Sequence, residues 1–125
     1  MSDEERLVGS LLAAGRIAIG IGIWAAPSLA AKGLGMKPWD GETLAVARLA
    51  ATRDVLLGCW LASELREGGR PLAPASALTV CDAGDAFAFG LLAARGGDDM
   101  GAGLRGVATA GPATAVGAWL VSRVR

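Results

Sequence analysis

The chain contains no histidine. That absence removes the Ser-His-Asp and Cys-His nucleophilic arrangements and every histidine-ligated metal site at once. Its two cysteines, Cys59 and Cys81, lie too far apart for a Cys-x-x-Cys motif, so zinc-finger spacing, a local dithiol pair and haem attachment are excluded. Charge is scarce, at 19% of residues, and neither sign is in excess, because 12 basic side chains cancel 12 acidic ones. No global field recruits nucleic acid. No phosphate-binding loop occurs. The Gly-x-Gly fragments lie inside apolar stretches with no strand before them, so no dinucleotide site is implied. The sequence thus calls for no metal and no cofactor.

Apolar residues are abundant instead. They make up 53% of the 125 residues, with a mean hydropathy of +0.46. Soluble domains hold about 45–50% even with glycine counted among the apolar residues, and a disordered chain holds far less. The length fits a single domain over residues 1–125. Four apolar stretches emerge, about 7–31, 43–65, 73–95 and 102–122, each near the ~20 residues a helix needs to cross the hydrocarbon of a bilayer. The breaks between them carry turn chemistry, as in Pro38-Trp39-Asp40-Gly41, Glu67-Gly68-Gly69-Arg70-Pro71 and Gly96-Gly97-Asp98-Asp99.

The competing reading is a soluble helical bundle. It requires a continuous polar face on each helix. The first stretch has only Ser10, Arg16 and Ser28 as polar side chains, and the fourth only Arg105, Thr109 and Thr114 before its last residue, Ser122. Neither set makes a face that water wets, and a chain this short cannot bury four helices that are apolar all round. The expectation is therefore an all-α bundle of four transmembrane helices, with the lipid bilayer as solvent. The first stretch does not read as a signal peptide, because the residues before it are mostly acidic and its apolar part is too long. Trp24, Trp60 and Trp119 fall near the ends of stretches, as an aromatic belt places them. Small residues recur at four-residue spacing, Ala14, Ala18, Gly22 and Ala26 on the first and Gly106, Ala110, Thr114 and Ala118 on the fourth, where close helix packing in lipid uses them. In an Ala/Gly-rich chain such spacings also arise by chance. Flanking basic residues set the orientation. Arg6, Arg66, Arg70, Arg123 and Arg125 share one side against Lys32, Lys37 and Arg95 on the other, which predicts a cell-membrane protein with both termini cytoplasmic.

Charges inside the stretches carry most of the functional information. One at mid-bilayer costs about 2.5–3.5 kcal/mol on insertion scales, against about 0.3–0.6 returned by each Leu, Ile or Val. Arg53 and Asp54 lie about 15 Å into the second stretch, Asp82 and Asp85 roughly 14–18 Å into the third, and Arg16 about 14 Å into the first. All five reach one level. Arg48 and Arg105 lie nearer the ends and are expected to snorkel. Asp82 and Asp85, three apart, share a helix face, whereas Arg53 and Asp54 diverge by about 100°. Two arginines against three aspartates leave one negative charge over, so one aspartate is expected to hold a proton. A carboxylic acid beside a carboxylate, oriented by arginine, is an acid–base device. The alternative is an ion-pair lock that fixes helix register without chemistry. Gly111-Pro112 at similar depth reads as an ordinary packing kink, and the two cysteines as small buried hydrophobes.

The run Arg48-Leu-Ala-Ala-Thr-Arg53-Asp54-Val-Leu-Leu-Gly58 and the later Asp82-Ala-Gly-Asp85, with Gly15-Arg16 and Ala26-Pro27, resemble a family of small four-helix integral membrane proteins of unknown function. The resemblance covers nearly the whole chain. It implies the four-helix fold and singles out Arg53, Asp54, Asp82 and Asp85, but it carries no reaction. The leading expectation is a membrane-embedded acid–base enzyme, such as an isomerase, cyclase or epoxide-opening hydrolase, acting on a hydrophobic small molecule. Asp82 and Asp85 are its expected acid–base pair. Asp54 completes the cluster, and Arg53 or Arg16 stabilises developing negative charge. A proton- or cation-coupled transporter or channel is the alternative, and a non-catalytic scaffold subunit a third reading. A homo-oligomer is compatible with all three.

Overall fold

The computed structural model describes residues 1–125 as five α-helices with no strand. Helix α1 (Asp3–Ala25) starts on a capping box. The Ser2 hydroxyl accepts from the Glu5 N–H at 3.1 Å, and the Glu5 carboxylate accepts from the Ser2 N–H at 2.8 Å. Asp3, Glu4 and Glu5 add negative charge where the helix dipole is positive. The single helix expected over 7–31 does not form. It breaks at Ala26, which leaves helical geometry (φ −141°, ψ 63°), and Pro27 begins a separate short helix α2 (Pro27–Gly33). Proline has no N–H to bond back with, and its ring pushes the residue before it out of the α region. Hydropathy runs straight through this point because Ala-Ala-Pro is apolar throughout.

Helix α3 (Gly41–Arg66) opens on Asp40, whose carboxylate accepts the Thr43 N–H at 2.8 Å. That bond to the Thr43 backbone holds the Asp40 carboxyl below its ordinary value. The cap is therefore at full strength at neutral pH and is lost as pH falls through the lowered value. Helix α4 (Leu72–Ala94) and helix α5 (Asp99–Val124) are joined by a tight turn. Gly96 and Gly97 both adopt positive φ there, 72° and 58°, which side chains resist. Unlike α1 at Pro27, α5 runs unbroken through Pro112.

The helices pack as two pairs, α1 along α3 and α4 along α5, and the pairs meet through much thinner contacts. Glycines set the close approaches. Ideal Cβ atoms would lie 2.6 Å from the Ala51 carbonyl oxygen at Gly20, and 2.8 Å from Ile17 Cγ1 and 2.9 Å from the Ala13 carbonyl oxygen at Gly58. On the second pair Gly103 sits against Ala93, Gly106 under the Phe89 ring, and Gly117 against Thr79. The small-residue row expected on the first stretch is thus the wrong row. Ala14 and Ala18 are exposed, and the buried row is Gly9, Ala13 and Gly20. On α5, Gly106 and Ala110 are buried as the spacing suggested, but Ala118 is exposed. An Ala/Gly-rich helix carries several rows at four-residue spacing, and only the partner surface selects among them. Gly20→Ala and Gly58→Ala should each cost about 1–3 kcal/mol by overpacking. Gly84→Ala, where a Cβ meets nothing within 4 Å, should be neutral or stabilising by up to ~1 kcal/mol. Denaturant titration of helicity in micelles reads all three, and equal losses would refute the assigned contact faces.

Large apolar residues are left on the surface while two carboxylates lie inside. Only 21 of 125 residues are buried, and two of those are charged, Asp54 and Asp82. Meanwhile Leu7, Leu11, Leu49, Leu56, Val80 and Phe87 are all more than half exposed. An exposed apolar surface of this kind marks a face for a partner or a membrane. Helices α1 and α4 are long and apolar enough to cross a membrane. Helices α3 and α5 match them in length but carry internal charges.

Candidate functional site

All five residues singled out at one depth meet between the two helix pairs. They form an alternating chain, Asp82, Arg16, Asp54, Arg53, Asp85. Arg16 of α1 pairs with Asp82 of α4 through one guanidinium nitrogen and donates through Nη1 to Asp54 Oδ2 of α3 at 3.2 Å. Arg53 of α3 donates to its neighbour Asp54 from Nε at 3.2 Å and Nη2 at 3.0 Å, both to Oδ1. The same guanidinium grips Asp85 of α4 with two parallel bonds, Nη2 to Oδ2 at 2.7 Å and Nη1 to Oδ1 at 3.2 Å. Two-pronged guanidinium–carboxylate bonds are the strong, directional kind.

The helices explain why these contacts form. Asp82 and Asp85 lie three residues apart on α4 and so project together toward the α1–α3 pair. Each meets a different arginine. Arg53 and Asp54 are adjacent on α3 and diverge, so Asp54 turns inward to Arg16 while Arg53 reaches across to α4. Two of the ion pairs, Arg16–Asp82 and Arg53–Asp85, therefore cross the thin seam between the pairs.

Exposure rises along the chain. Asp82, Asp54 and Arg16 side chains are 3%, 7% and 12% exposed, whereas Arg53 and Asp85 are 33% and 32% exposed. The open end faces a cavity of about 410 Å³. Arg16, Arg53, Asp54 and Asp85 line it, and most of the remaining lining is apolar, including Leu11, Ile19, Ile23 and Phe89. Asp82 does not reach the cavity. It pairs with Arg16, so the two carboxylates that line the cavity together are Asp54 and Asp85, joined through Arg53. No three metal-ligating side chains gather anywhere in the chain, and the guanidinium groups stand between the carboxylates.

Several lining residues carried no signal in the sequence. Leu34 and Trp39 belong to the connection between α2 and α3, yet they line the cavity, and nothing in a loop sequence says which way it folds. Phe89 was readable in principle, since it follows Asp85 by four residues and shares its face. Arg48 stacks on Trp24. Its guanidinium carbon lies 4.9 Å from the Trp24 ring centre, and the Trp24 indole N–H donates to Thr52 Oγ1 at 3.2 Å. The cysteines were expected to be buried. Cys59 is exposed and Cys81 partly so, both as free thiols, because a small apolar residue looks the same in sequence whether it faces a core or an apolar solvent.

No protein family, curated protein or solved structure matches this chain.

Proposed function

We propose that α1, α3, α4 and α5 cross the bilayer with both termini cytoplasmic, and that the chain is an enzyme performing acid–base chemistry on a hydrophobic small molecule. The exposed large apolar side chains, with Asp54 and Asp82 buried and paired inside, support the first part, because they suit a solvent of lipid tails. Insertion costs that α3 cannot meet alone are offset by the ion-pair chain once its partners are in place. One observation carries the second part. Arg53 is held between Asp54 and Asp85 on the wall of an otherwise largely apolar cavity.

The roles follow from access. Asp54 accepts bonds from both arginines and Asp82 lies behind Arg16, so these two position the guanidinium groups. Asp85 has one arginine partner and a third of its side chain open, and it is the group that touches substrate. In an isomerisation the Asp85 carboxylate takes a proton from carbon, Arg53 stabilises the anion that develops, and Asp85 returns a proton at another carbon. In epoxide opening Asp85 takes a proton from the attacking water, the hydroxyl bonds to carbon, and the alkoxide released beside Arg53 receives that proton. Both schemes balance without a redox partner.

The test uses the whole chain in liposomes, given lipophilic enones and epoxides in D₂O or ¹⁸O-labelled water. Wild-type protein should place solvent deuterium or oxygen in lipid-soluble products, and Asp85→Asn should not. Equal incorporation by both proteins refutes the proposal. Proton uptake driven by a membrane potential and lost in Asp82→Asn would replace the enzyme with a proton carrier.

A further inference from the structure

The shape and opening of the cavity define its ligand more narrowly. The lining follows α1 from Leu11 through Gly15 and Ile19 to Ile23, a span of about 18 Å at 1.5 Å per residue. The cavity of about 410 Å³ is therefore drawn out along the helix, a shape that suits an extended hydrocarbon chain.

The exposed residues of the lining all fall on α1 and α5, whose mutual contacts are thin, and this places the opening between them. Leu11 and Ile19 line the cavity while being 63% and 46% exposed, and Gly15 and Thr109 are exposed on the two facing helices. An ideal Cβ on Gly15 meets nothing within 4 Å, so this is open space at the level of Arg16. If α1 and α5 face lipid, the opening is a side portal into the bilayer.

The charged groups of the lining gather at one level. The Trp39 indole N–H donates to Met36 Sδ at 3.5 Å, and the Thr109 hydroxyl donates to the Arg105 carbonyl at 2.9 Å. A guanidinium has five N–H donors. The aspartates take four from Arg53, which leaves one N–H on Nη1. Arg16 marks the level of this site, five residues from Leu11 and seven from Ile23. The polar contact therefore falls part-way along the cavity, with apolar lining on either side.

We infer that the site takes an uncharged, single-chain lipid from the bilayer through the α1–α5 portal, and that the reacting group of this lipid lies in mid-chain. The inference rests on the membrane-enzyme reading above and adds the substrate class and its route. The charged groups that line the cavity, Arg16, Arg53, Asp54 and Asp85, lie at that mid-cavity level and balance in sign, which argues against a ligand held by a charged headgroup.

The experiment uses the full chain in phosphatidylcholine bilayers and a tetradecanone labelled with ¹³C at the carbonyl. The isomer with the carbonyl at mid-chain is compared with the methyl ketone. Infrared spectroscopy follows the carbonyl band, which moves to lower frequency on hydrogen bonding to Arg53. The mid-chain isomer should give a saturable shifted band, and the methyl ketone should need at least ~10-fold more to reach the same signal. Gly15→Phe should abolish the band, and Thr109→Phe, which fills the portal from α5, should weaken it at least ~10-fold in protein of unchanged helicity. Equal binding of the two isomers, no saturable band, or a band indifferent to both substitutions overturns the inference. The solvent-isotope comparison with Asp85→Asn uses no portal variant, so a failure here leaves the acid–base reading to stand or fall by itself.

Discussion

An Arg16→Leu variant should lose about 3–5 kcal/mol of stability, the cost of breaking a buried ion pair by removing one partner. Arg16 is shared by the two most buried charges of the molecule, Asp54 and Asp82. Without it Asp54 keeps Arg53, but Asp82 has no other partner. Arg16→Lys should recover only part of the loss, because an ammonium is a point charge without the fork that reaches two carboxylates. The double variant Arg16→Leu/Asp82→Leu should be markedly more stable than Arg16→Leu alone, since replacing both members of a buried pair with apolar groups is often nearly neutral. That cycle separates the pair from the individual residues. The exposed pair Arg95–Asp99, at 3.6 Å with side chains 75% and 47% exposed, supplies the contrast. Arg95→Leu should shift stability by about 0.5 kcal/mol or less. Denaturant titrations in micelles measure the whole series, and a loss below ~1 kcal/mol for Arg16→Leu would contradict the burial assigned to the chain of charges.

Asp85→Asn should behave in the opposite way, with little change in folding and a large change in chemistry. Its side chain is a third open and has a single arginine partner, so removing its charge leaves Arg53 still paired with Asp54. The amide oxygen still accepts a bond from the guanidinium, which preserves position. What disappears is the proton acceptor, and a positioned acid or base contributes typically 10²–10⁴-fold to rate. The expected result is a loss of that size in label incorporation from D₂O or ¹⁸O-labelled water, with unchanged helicity and unfolding midpoint. Asp85→Glu, which keeps the carboxylate on a longer stem, should restore part of the rate. Loss of folding in parallel with rate would make Asp85 a member of the lock, and full activity in Asp85→Asn would remove it from the chemistry.

How much of this was legible in the sequence depends on the kind of signal. Depth was readable because helical rise is fixed, so counting residues from each break placed Arg16, Arg53, Asp54, Asp82 and Asp85 at one level. Pairing was not, because level says nothing of rotation about the helix axis. Asp82 and Asp85 look equivalent at a spacing of three, yet one lies behind Arg16 and the other on the cavity wall. The helix break at Ala26 was written in the Ala-Pro step and obscured by uniform hydropathy. The buried row of α1 was hidden for a related reason, since Gly9, Ala13 and Gly20 have the same composition as the exposed Ala14 and Ala18. Trp39 shows the other limit. A tryptophan in a loop fits an interfacial belt, and only the path of the α2–α3 connection brings it to the cavity.

The central claim is that the exposed apolar surface faces lipid, and Cys59 tests it without any substitution. Its side chain is exposed on the surface of the protein, seven residues before the end of α3 at Arg66. That puts it about 10 Å inside the spanning segment. In sealed proteoliposomes, a sulfonated, membrane-impermeant maleimide supplied to both faces should leave Cys59 unlabelled and label it only after the bilayer is dissolved in SDS. Rapid labelling of Cys59 from water in intact vesicles would contradict the account, because the surface described here as lipid-facing would then be wet.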